Sequence, residues 1–143
     1  MAINKKTREQ VYQKYKGHCA YCGEEISITE MQVDHIFAQA KIHWIGHEGM
    51  KRFHNDIPDN INELNNLNPA CRFCNAWKKT FSIEQFRSEI SEQVKRANKY
   101  SANYRMAKRY KLIEERTMPI VFYFEKVSCE QKTEGIKWQG KNK

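Results

Sequence analysis

The sequence lacks any long apolar run. Among its 143 residues, no hydrophobic stretch approaches the roughly 18 residues that a membrane-spanning helix needs. Residues 1–6 lead directly into a polar stretch and lack the apolar core of a secretion signal. Low-complexity segments, internal repeats and linker-like stretches are also absent. We therefore expect one ordinary domain with an added segment, located in the cytoplasm and without a membrane partner.

The cysteine content does not suit a disulfide framework, because the number of cysteines, five, is odd. Four of them form two Cys-x-x-Cys pairs, Cys19 with Cys22 and Cys71 with Cys74. Each two-residue gap lets both sulfurs reach one ion, and four thiolates complete a tetrahedral zinc site. We predict a structural zinc ion on these four residues, which adds folding energy that a small core cannot supply. Cys129 is interpreted as a bystander.

Two alternatives to this site stay open at the level of sequence. The four thiols can be small buried hydrophobic groups without a metal. Alternatively, His18 can replace one of the sulfurs as a ligand. The 48 residues between Cys22 and Cys71 exceed the span of a small zinc finger, so the module must be larger than one.

Acidic residues are scarce in the second half of the chain. Residues 72–116 contain twelve Lys or Arg, five Glu and no Asp, so this segment carries +7 of the net charge of +8. Such a basic segment is an electrostatic footprint for nucleic acid. Solvated helix faces can have the same composition, so charge alone leaves both interpretations open.

Periodicity and turn signals predict mostly helices with two strands. We expect a helix over residues 7–15 with Thr7 as its N-cap, and a strand over residues 30–37. Residues 38–65 predict a long loop with a short helix near residues 41–45. The later predicted elements are helices at 75–79, from Ser82 through Ala97, and at 101–113, and a short strand at 120–124. We divide the chain into a metal-organised module (1–80), a helical extension ending in the strand (81–127) and a polar, flexible tail (128–143).

Between and beside the cysteine pairs lie Asp34-His35-Ile36, Asn66-Leu67 and Asn75-x-x-Lys78. This order of motifs, over residues 17–79, resembles the HNH endonuclease family in the zinc-bearing form found in phage and mobile-element genes. The resemblance implies an α+β fold. It would contain a ββα-metal, treble-clef-like module with structural zinc, followed by the helical extension and the short C-terminal strand.

The resemblance also implies roles for individual residues. His35 would be the general base that activates water, which suits an imidazole near pH 7. Asp34 and Asn75 would bind one catalytic Mg²⁺ or Mn²⁺ through oxygen atoms. Asn66 would have a supporting role in catalysis, because it ties down the loop and keeps the base oriented. Outside this motif, His35 would be interpreted as a core histidine and Asn66 as a turn residue.

Basic and aromatic residues near the second cysteine pair have weaker assignments. Lys78, Lys79 and Arg72 are candidates for binding the nucleic-acid backbone, whereas Trp77 is expected to pack in the core against the zinc module. The histidines of the long loop are interpreted as loop residues, with His54 a further candidate for contact with a substrate phosphate; they are His43, His47 and His54.

These expectations favour a metal-dependent endonuclease that hydrolyses DNA. The alternative from another class is a non-catalytic zinc-knuckle module that binds nucleic acid, which has no need for Asp34, His35 and Asn75 together. A third interpretation is a nuclease subunit of a phage packaging complex. DNA is the expected partner, and a second copy of the chain or a phage packaging protein are further candidates.

Overall fold

The structure is a computed structural model that describes residues 2–41, Gly46 and 57–137, the last seven by their backbone only. Helix α1 spans Lys5–Gln13. It begins two residues before the predicted start, because Asn4 and not Thr7 is the N-cap: the Asn4 side-chain oxygen accepts a hydrogen bond from the Thr7 amide at 2.8 Å. Residues 39–41, at the start of the predicted loop helix, are helical, and 42–45 lie outside the described residues.

A small antiparallel sheet forms from two strands, β1 at Gln32–His35 and β2 at Leu67–Ala70. A single turn of 3₁₀ helix at Leu64–Asn66 leads into β2. The predicted strand over residues 30–37 is therefore present in a shorter form. Asp34 pairs with Asn68 across the sheet, and His35 pairs with Leu67. This register aligns the Asp-His motif with the strand that leads to the second cysteine pair.

Helix α2 follows directly at Arg72–Lys78, three residues earlier than predicted. Its N-cap is Cys71, whose sulfur accepts a hydrogen bond from the amide of Cys74 at 3.3 Å. The second cysteine pair thus sets the start of the helix. Helix propensity alone does not predict this start. The order β1, β2, α2 places Asn75 and Lys78 on the helix that follows the sheet.

Three short helices make up the following segment: α3 at Ile83–Ser91, α4 at Gln93–Tyr100 and α5 at Ala102–Arg109. The predicted long helix from Ser82 is divided into α3 and α4, with a turn at residue 92 between them. Ser101 ends α4 and caps α5, accepting a hydrogen bond from the amide of Tyr104 at 3.1 Å.

The predicted strand at residues 120–124 is wrong, because helix α6 occupies Tyr123–Lys137. The first amides of this helix bond to residues between the first two cysteines: Tyr123 N donates to the Tyr21 carbonyl (3.0 Å) and Phe124 N to the Ala20 carbonyl (2.9 Å). Phe122 is buried with its ring edge-to-face against Tyr21. Phe122 has a high β propensity, but its packing against Tyr21 outweighs that propensity.

The described chain forms two compact units, one of residues 1–82 and 122–143, the other of residues 83–121. Residues 122–127, predicted to end the helical extension, therefore belong with the first unit. Helix α6 also includes residues 128–137, for which the sequence predicts a flexible tail. In the described parts of the chain, no helix has the length and apolar character needed to cross a membrane.

The first unit has a small core beside the sheet. Fully buried apolar side chains come from α1, the first cysteine turn, the segment before β1 and both ends of β2; they are Val11, Cys19, Ala20, Met31, Leu67 and Ala70. The amide of Ala20 donates to the carbonyl of Pro69 at 2.8 Å. This bond fixes the first cysteine pair against β2 and brings it close to the second pair.

Candidate metal centre and adjacent polar site

The four predicted ligands Cys19, Cys22, Cys71 and Cys74 lie together, with all their sulfur atoms within 4.8 Å of one another. A tetrahedral zinc site with Zn–S bonds of about 2.3 Å has sulfur–sulfur distances of about 3.8 Å. The sulfurs of Cys22 and Cys71 are 3.8 Å apart. The cluster can therefore hold a metal such as zinc, and its four thiolates leave no position for a substrate.

The backbone around Cys19 explains how the first pair turns. Gly23 has a φ of +79°, and its amide donates to the Cys19 carbonyl at 3.0 Å. A Cβ at Gly23 would lie 2.8 Å from the ring of Tyr123, so a side chain is excluded there by both backbone conformation and space. The Cys19 amide in turn donates to the Glu24 carbonyl at 2.8 Å. The turn is thus specified by glycine and by α6 packing against it.

Without a cation, a negative charge on one sulfur of the cluster opposes a negative charge on the others. A hydrogen bond with Cys74, together with nearby backbone amides, lowers the pKa of Cys19 to about 4 against the effect of burial. Burial raises the pKa of Cys22 to about 12, and the charge on Cys19 adds to this. The hydrogen bond with Cys19 and burial raise the pKa of Cys74. One thiolate therefore suppresses the ionisation of its neighbours, and a bound dication relieves that repulsion.

Neither alternative to the four-cysteine site is supported. His18 uses its Nδ1 on the carbonyls of Tyr15 and Lys16, both at 3.1 Å, and its ring stacks on Tyr123. Cys22 is exposed, which does not suit a buried hydrophobic thiol.

Asp34 is buried and ion-paired. It is 4% exposed, and the ammonium group of Lys78, which is 0% exposed, lies 3.2 Å from Oδ1 and 3.1 Å from Oδ2. The hydroxyl of Tyr21 also donates to Oδ2. Burial raises the pKa of Asp34, while Lys78 and Tyr21 act in the opposite direction. Lys78 donates a further hydrogen bond to the carbonyl of His35 at 3.0 Å.

This ion pair corrects the predicted role of Lys78. A fully buried ammonium group cannot contact a nucleic-acid backbone, so Lys78 serves as the counterion of Asp34 and joins α2 to β1. The reason is positional: Lys78 lies on the helix side that faces the sheet. Arg72 and Lys79, the other two candidates for contact with nucleic acid, are exposed.

His35 follows Asp34 on β1 but is only half-buried, because alternate residues of a strand face opposite sides. Its Nε2 lies 2.9 Å from the side-chain oxygen of Asn62. With that oxygen as the acceptor, Nε2 carries the proton and Nδ1 keeps its lone pair. The imidazole is thereby fixed in orientation with one basic nitrogen available.

Asn66 joins three backbone segments around His35. Its side-chain oxygen accepts from the amide of Phe37 at 2.8 Å, and its amide group donates to the carbonyls of Phe37 (3.2 Å) and Ile61 (2.9 Å). The Ile36 amide also donates to the Asn66 carbonyl at 2.8 Å. The buried Asn66 therefore ties the end of β1 to the residues before β2. The supporting role in catalysis that the resemblance implies for Asn66 stays a prediction.

Asn75 lies one helical turn before Lys78 on α2, so both residues lie on the same side of the helix. Asn75 is half-buried, and among the described residues its side chain makes no hydrogen bond. An amide with free acceptor capacity therefore lies on the helix that Lys78 attaches to Asp34.

The Asp34 carboxylate is already engaged by an internal cation. Among the described residues, Oδ1 of Asp34 accepts a hydrogen bond from Lys78. The same ammonium group lies 3.1 Å from Oδ2. In the described part of the chain, the group of three or more Cys, His, Asp or Glu side chains that could hold a metal ion is the cysteine cluster.

Trp77 is half exposed, so the expectation that it packs in the core is wrong. It follows Phe73 by four residues, so the two rings lie on the same side of α2. The loop histidines His43, His47 and His54 lie outside the described residues.

Three supporting residues were not selected from the sequence. In the sequence, Tyr21 is distinguished only by its position next to Cys22. Asn62 is one of several asparagines in the same stretch. Lys14, at the end of α1, donates to the Leu67 carbonyl at 2.7 Å and to the side-chain oxygen of Asn68 at 3.1 Å. All three act through contacts distant in sequence, for which no local signal exists.

Comparisons with protein-family models, with curated proteins and with solved structures find no match to this chain. The family resemblance therefore depends on the sequence motifs alone.

Proposed function

We propose that this protein is a zinc-stabilised, metal-dependent endonuclease of the HNH type that hydrolyses DNA. The observation that carries the proposal is the arrangement of His35. One nitrogen of its imidazole is hydrogen-bonded to Asn62, the other has no hydrogen-bond partner among the described residues, and His35 follows Asp34 directly on β1. The order β1, β2, α2 and the cysteine cluster that initiates α2 support the same proposal.

His35 acts as the general base in this proposal. Its Nδ1 accepts a proton from the attacking water, and the hydrogen bond from Nε2 to Asn62 keeps the ring in one tautomer. Asn66 acts as a positioning residue, because it fixes the backbone on either side of His35 through Ile36 and Phe37. The hydrogen bond to Asn62 and the contacts of Asn66 both reduce the reorganisation needed to position the His35 imidazole.

Asp34 and Asn75 would hold the divalent cation, which supplies charge stabilisation for the phosphoryl transition state and the leaving oxygen. Lys78 orients Asp34 by holding both of its oxygens. The zinc cluster takes no part in the reaction and keeps α2 at the end of β2.

DNA is the proposed substrate because of charge. Residues 72–116 carry a net charge of +7, and Arg72 and Lys79 are exposed on and beside α2. Contacts of this kind bind phosphates without reading sequence.

The test compares the wild-type protein with His35→Ala on supercoiled plasmid in the presence of Mg²⁺. We expect nicked or linear product only from the wild type. Zinc content and circular dichroism must match between the two proteins, so that a folding defect is not mistaken for a catalytic one. Equal cleavage by both proteins, or by neither, would contradict the proposal.

The non-catalytic zinc-knuckle module remains the second candidate, and the Asp34–Lys78 pair is what favours it. A module that only binds has no requirement for a free carboxylate, and here the carboxylate is neutralised by an internal cation. Tight DNA binding without cleavage, unaffected by His35→Ala, would favour this function.

A further inference from the structure

Helix α2 exposes two aromatic rings. Phe73 is 77% exposed and Trp77 is 50% exposed. Residues four apart on a helix lie one above the other, so the two rings form one continuous strip, the Phe73–Trp77 stripe. Lys78, the residue after Trp77, is instead buried against Asp34. Aromatic groups so exposed on a short polar helix indicate a binding surface.

A groove of about 450 Å³ begins at the ring of Phe73. Its apolar lining consists of Ile26 and Phe73, and Cys71 also lines it. The remaining lining residues are polar and include both hydrogen-bond acceptors and donors; they are Glu24, Glu30, Gln32 and Arg72. A groove that combines an exposed ring with hydrogen-bonding groups offers contacts to a flat, partly polar ligand.

We infer that the Phe73–Trp77 stripe is a stacking platform for unpaired bases of a nucleic-acid strand. Arg72 and Lys79 are exposed at the two ends of α2, where they can neutralise the phosphates on either side of stacked bases. The carboxylates of Glu24 and Glu30 line the groove beside Phe73, where they can accept hydrogen bonds from N–H groups of uncharged bases, such as N3–H of thymine.

A protein partner is the competing occupant, and the composition of the surface argues against it. Protein docking needs apolar area of any kind, whereas the stripe consists of two rings with a basic residue at each end. This combination of aromatic and basic groups is what single-stranded nucleic acid requires.

The inference deepens the proposed function, on which its substrate assignment rests. The stripe lies on the same helix as Lys78, which donates to the carbonyl of His35, and a helix with its side chains is about 10–12 Å across. A strand with its phosphate at His35 therefore reaches the rings within a few nucleotides. Bases of an intact duplex are already stacked and unavailable to the rings. The substrate class is accordingly DNA with an unpaired segment next to the cleaved bond.

The experiment measures binding of a fluorescein-labelled 15-nucleotide oligo-dT and of a 15-base-pair duplex by anisotropy. All proteins carry His35→Ala to prevent cleavage. Phe73→Leu and Trp77→Leu keep an apolar side chain but remove the ring. We expect each to weaken oligo-dT binding about tenfold and the double variant about a hundredfold, with duplex binding changed less than twofold. Trp77→Phe, which keeps a ring, should retain most of the affinity.

Zinc content and thermal unfolding provide the folding control, and they should match the parent because both rings are on the surface. Unchanged oligo-dT binding by the leucine double variant would overturn the inference. Equal losses of affinity for the duplex and for oligo-dT would also overturn it. A concentration-dependent dimer that disappears in a Phe73→Ala/Trp77→Ala variant, with oligo-dT binding retained, would identify the stripe as a protein interface instead. None of these outcomes depends on cleavage, which tests the proposed function separately.

Discussion

The ammonium group of Lys78 lies 3.1 Å from Oδ2 of Asp34, and both side chains are removed from solvent. This pair connects the end of α2 to β1 at the residue preceding His35. Because the Lys78 ammonium also donates to the His35 carbonyl, it fixes the backbone that carries the proposed base. The pair is thus both a structural joint and a part of the candidate site.

Removing one member of this pair should destabilise the protein strongly. Lys78→Met leaves the Asp34 carboxylate buried without a counterion, which costs about 3–5 kcal/mol. Asp34→Asn leaves the ammonium group unpaired and should cost a similar amount. The double variant should recover much of the loss, since no unpaired charge remains. Urea unfolding of the zinc-loaded proteins measures all three values, and additive losses would contradict the coupling.

The titration of Asp34 should be shifted upward in the folded protein. Burial raises its pKa above the ordinary value of 3.8, while Lys78 lowers it. The folded state therefore binds this proton more readily than the unfolded state, so the Asp34 contribution to stability falls as pH rises through the shifted pKa. Carbon-detected NMR of the carboxyl group should show a midpoint above 3.8, and a still higher one in Lys78→Met. A midpoint unchanged by Lys78→Met would contradict the close pairing.

Loss of one cysteine ligand should unfold the first unit. Cys71 is both a member of the sulfur cluster and the N-cap of α2, so Cys71→Ser removes a metal ligand and weakens the start of the helix. We expect no bound zinc and loss of cooperative unfolding. Cys129→Ser is the matched control, because Cys129 is exposed on α6 and should leave zinc content unchanged. Zinc content is measured by atomic absorption, and a folded, zinc-loaded Cys71→Ser would refute the four-cysteine site.

Two asparagines near His35 should respond differently to truncation. Asn66→Ala removes three part-buried hydrogen bonds to the backbone of Phe37 and Ile61 and should cost about 1–3 kcal/mol of stability. Asn62→Ala removes one hydrogen bond to the half-buried His35 and should cost less than about 1 kcal/mol. Its effect should appear instead in plasmid cleavage, with kcat reduced about tenfold or more. A larger stability loss for Asn62→Ala than for Asn66→Ala would contradict these assignments.

The sequence predicted the parts of the site whose signals are local. The Cys-x-x-Cys spacing led to the sulfur cluster, and the alternation around Asp34 led to β1. It did not predict that Lys78 is buried, because a lysine four residues after Cys74 looks the same on either side of a helix. The wrong strand at 120–124 has a similar origin: Phe122 has high β propensity, but its environment is set by Tyr21, a hundred residues away.

Binding of duplex DNA should depend on unpaired cations of the helical segment. Arg109, in the last turn of α5, and Lys111 are exposed, and neither forms an ion pair with another described residue. Replacing each by Gln should lower the slope of log K against log salt by about 0.9, equally for all sequences. Lys95→Gln is the matched control, because Lys95 already pairs with Glu92 at 3.2 Å. Anisotropy titrations between about 50 and 200 mM salt measure the slopes. Equal slopes for all three variants and the wild type would mean that this segment does not contact phosphates, and would leave Arg72 and Lys79 as the basic contacts.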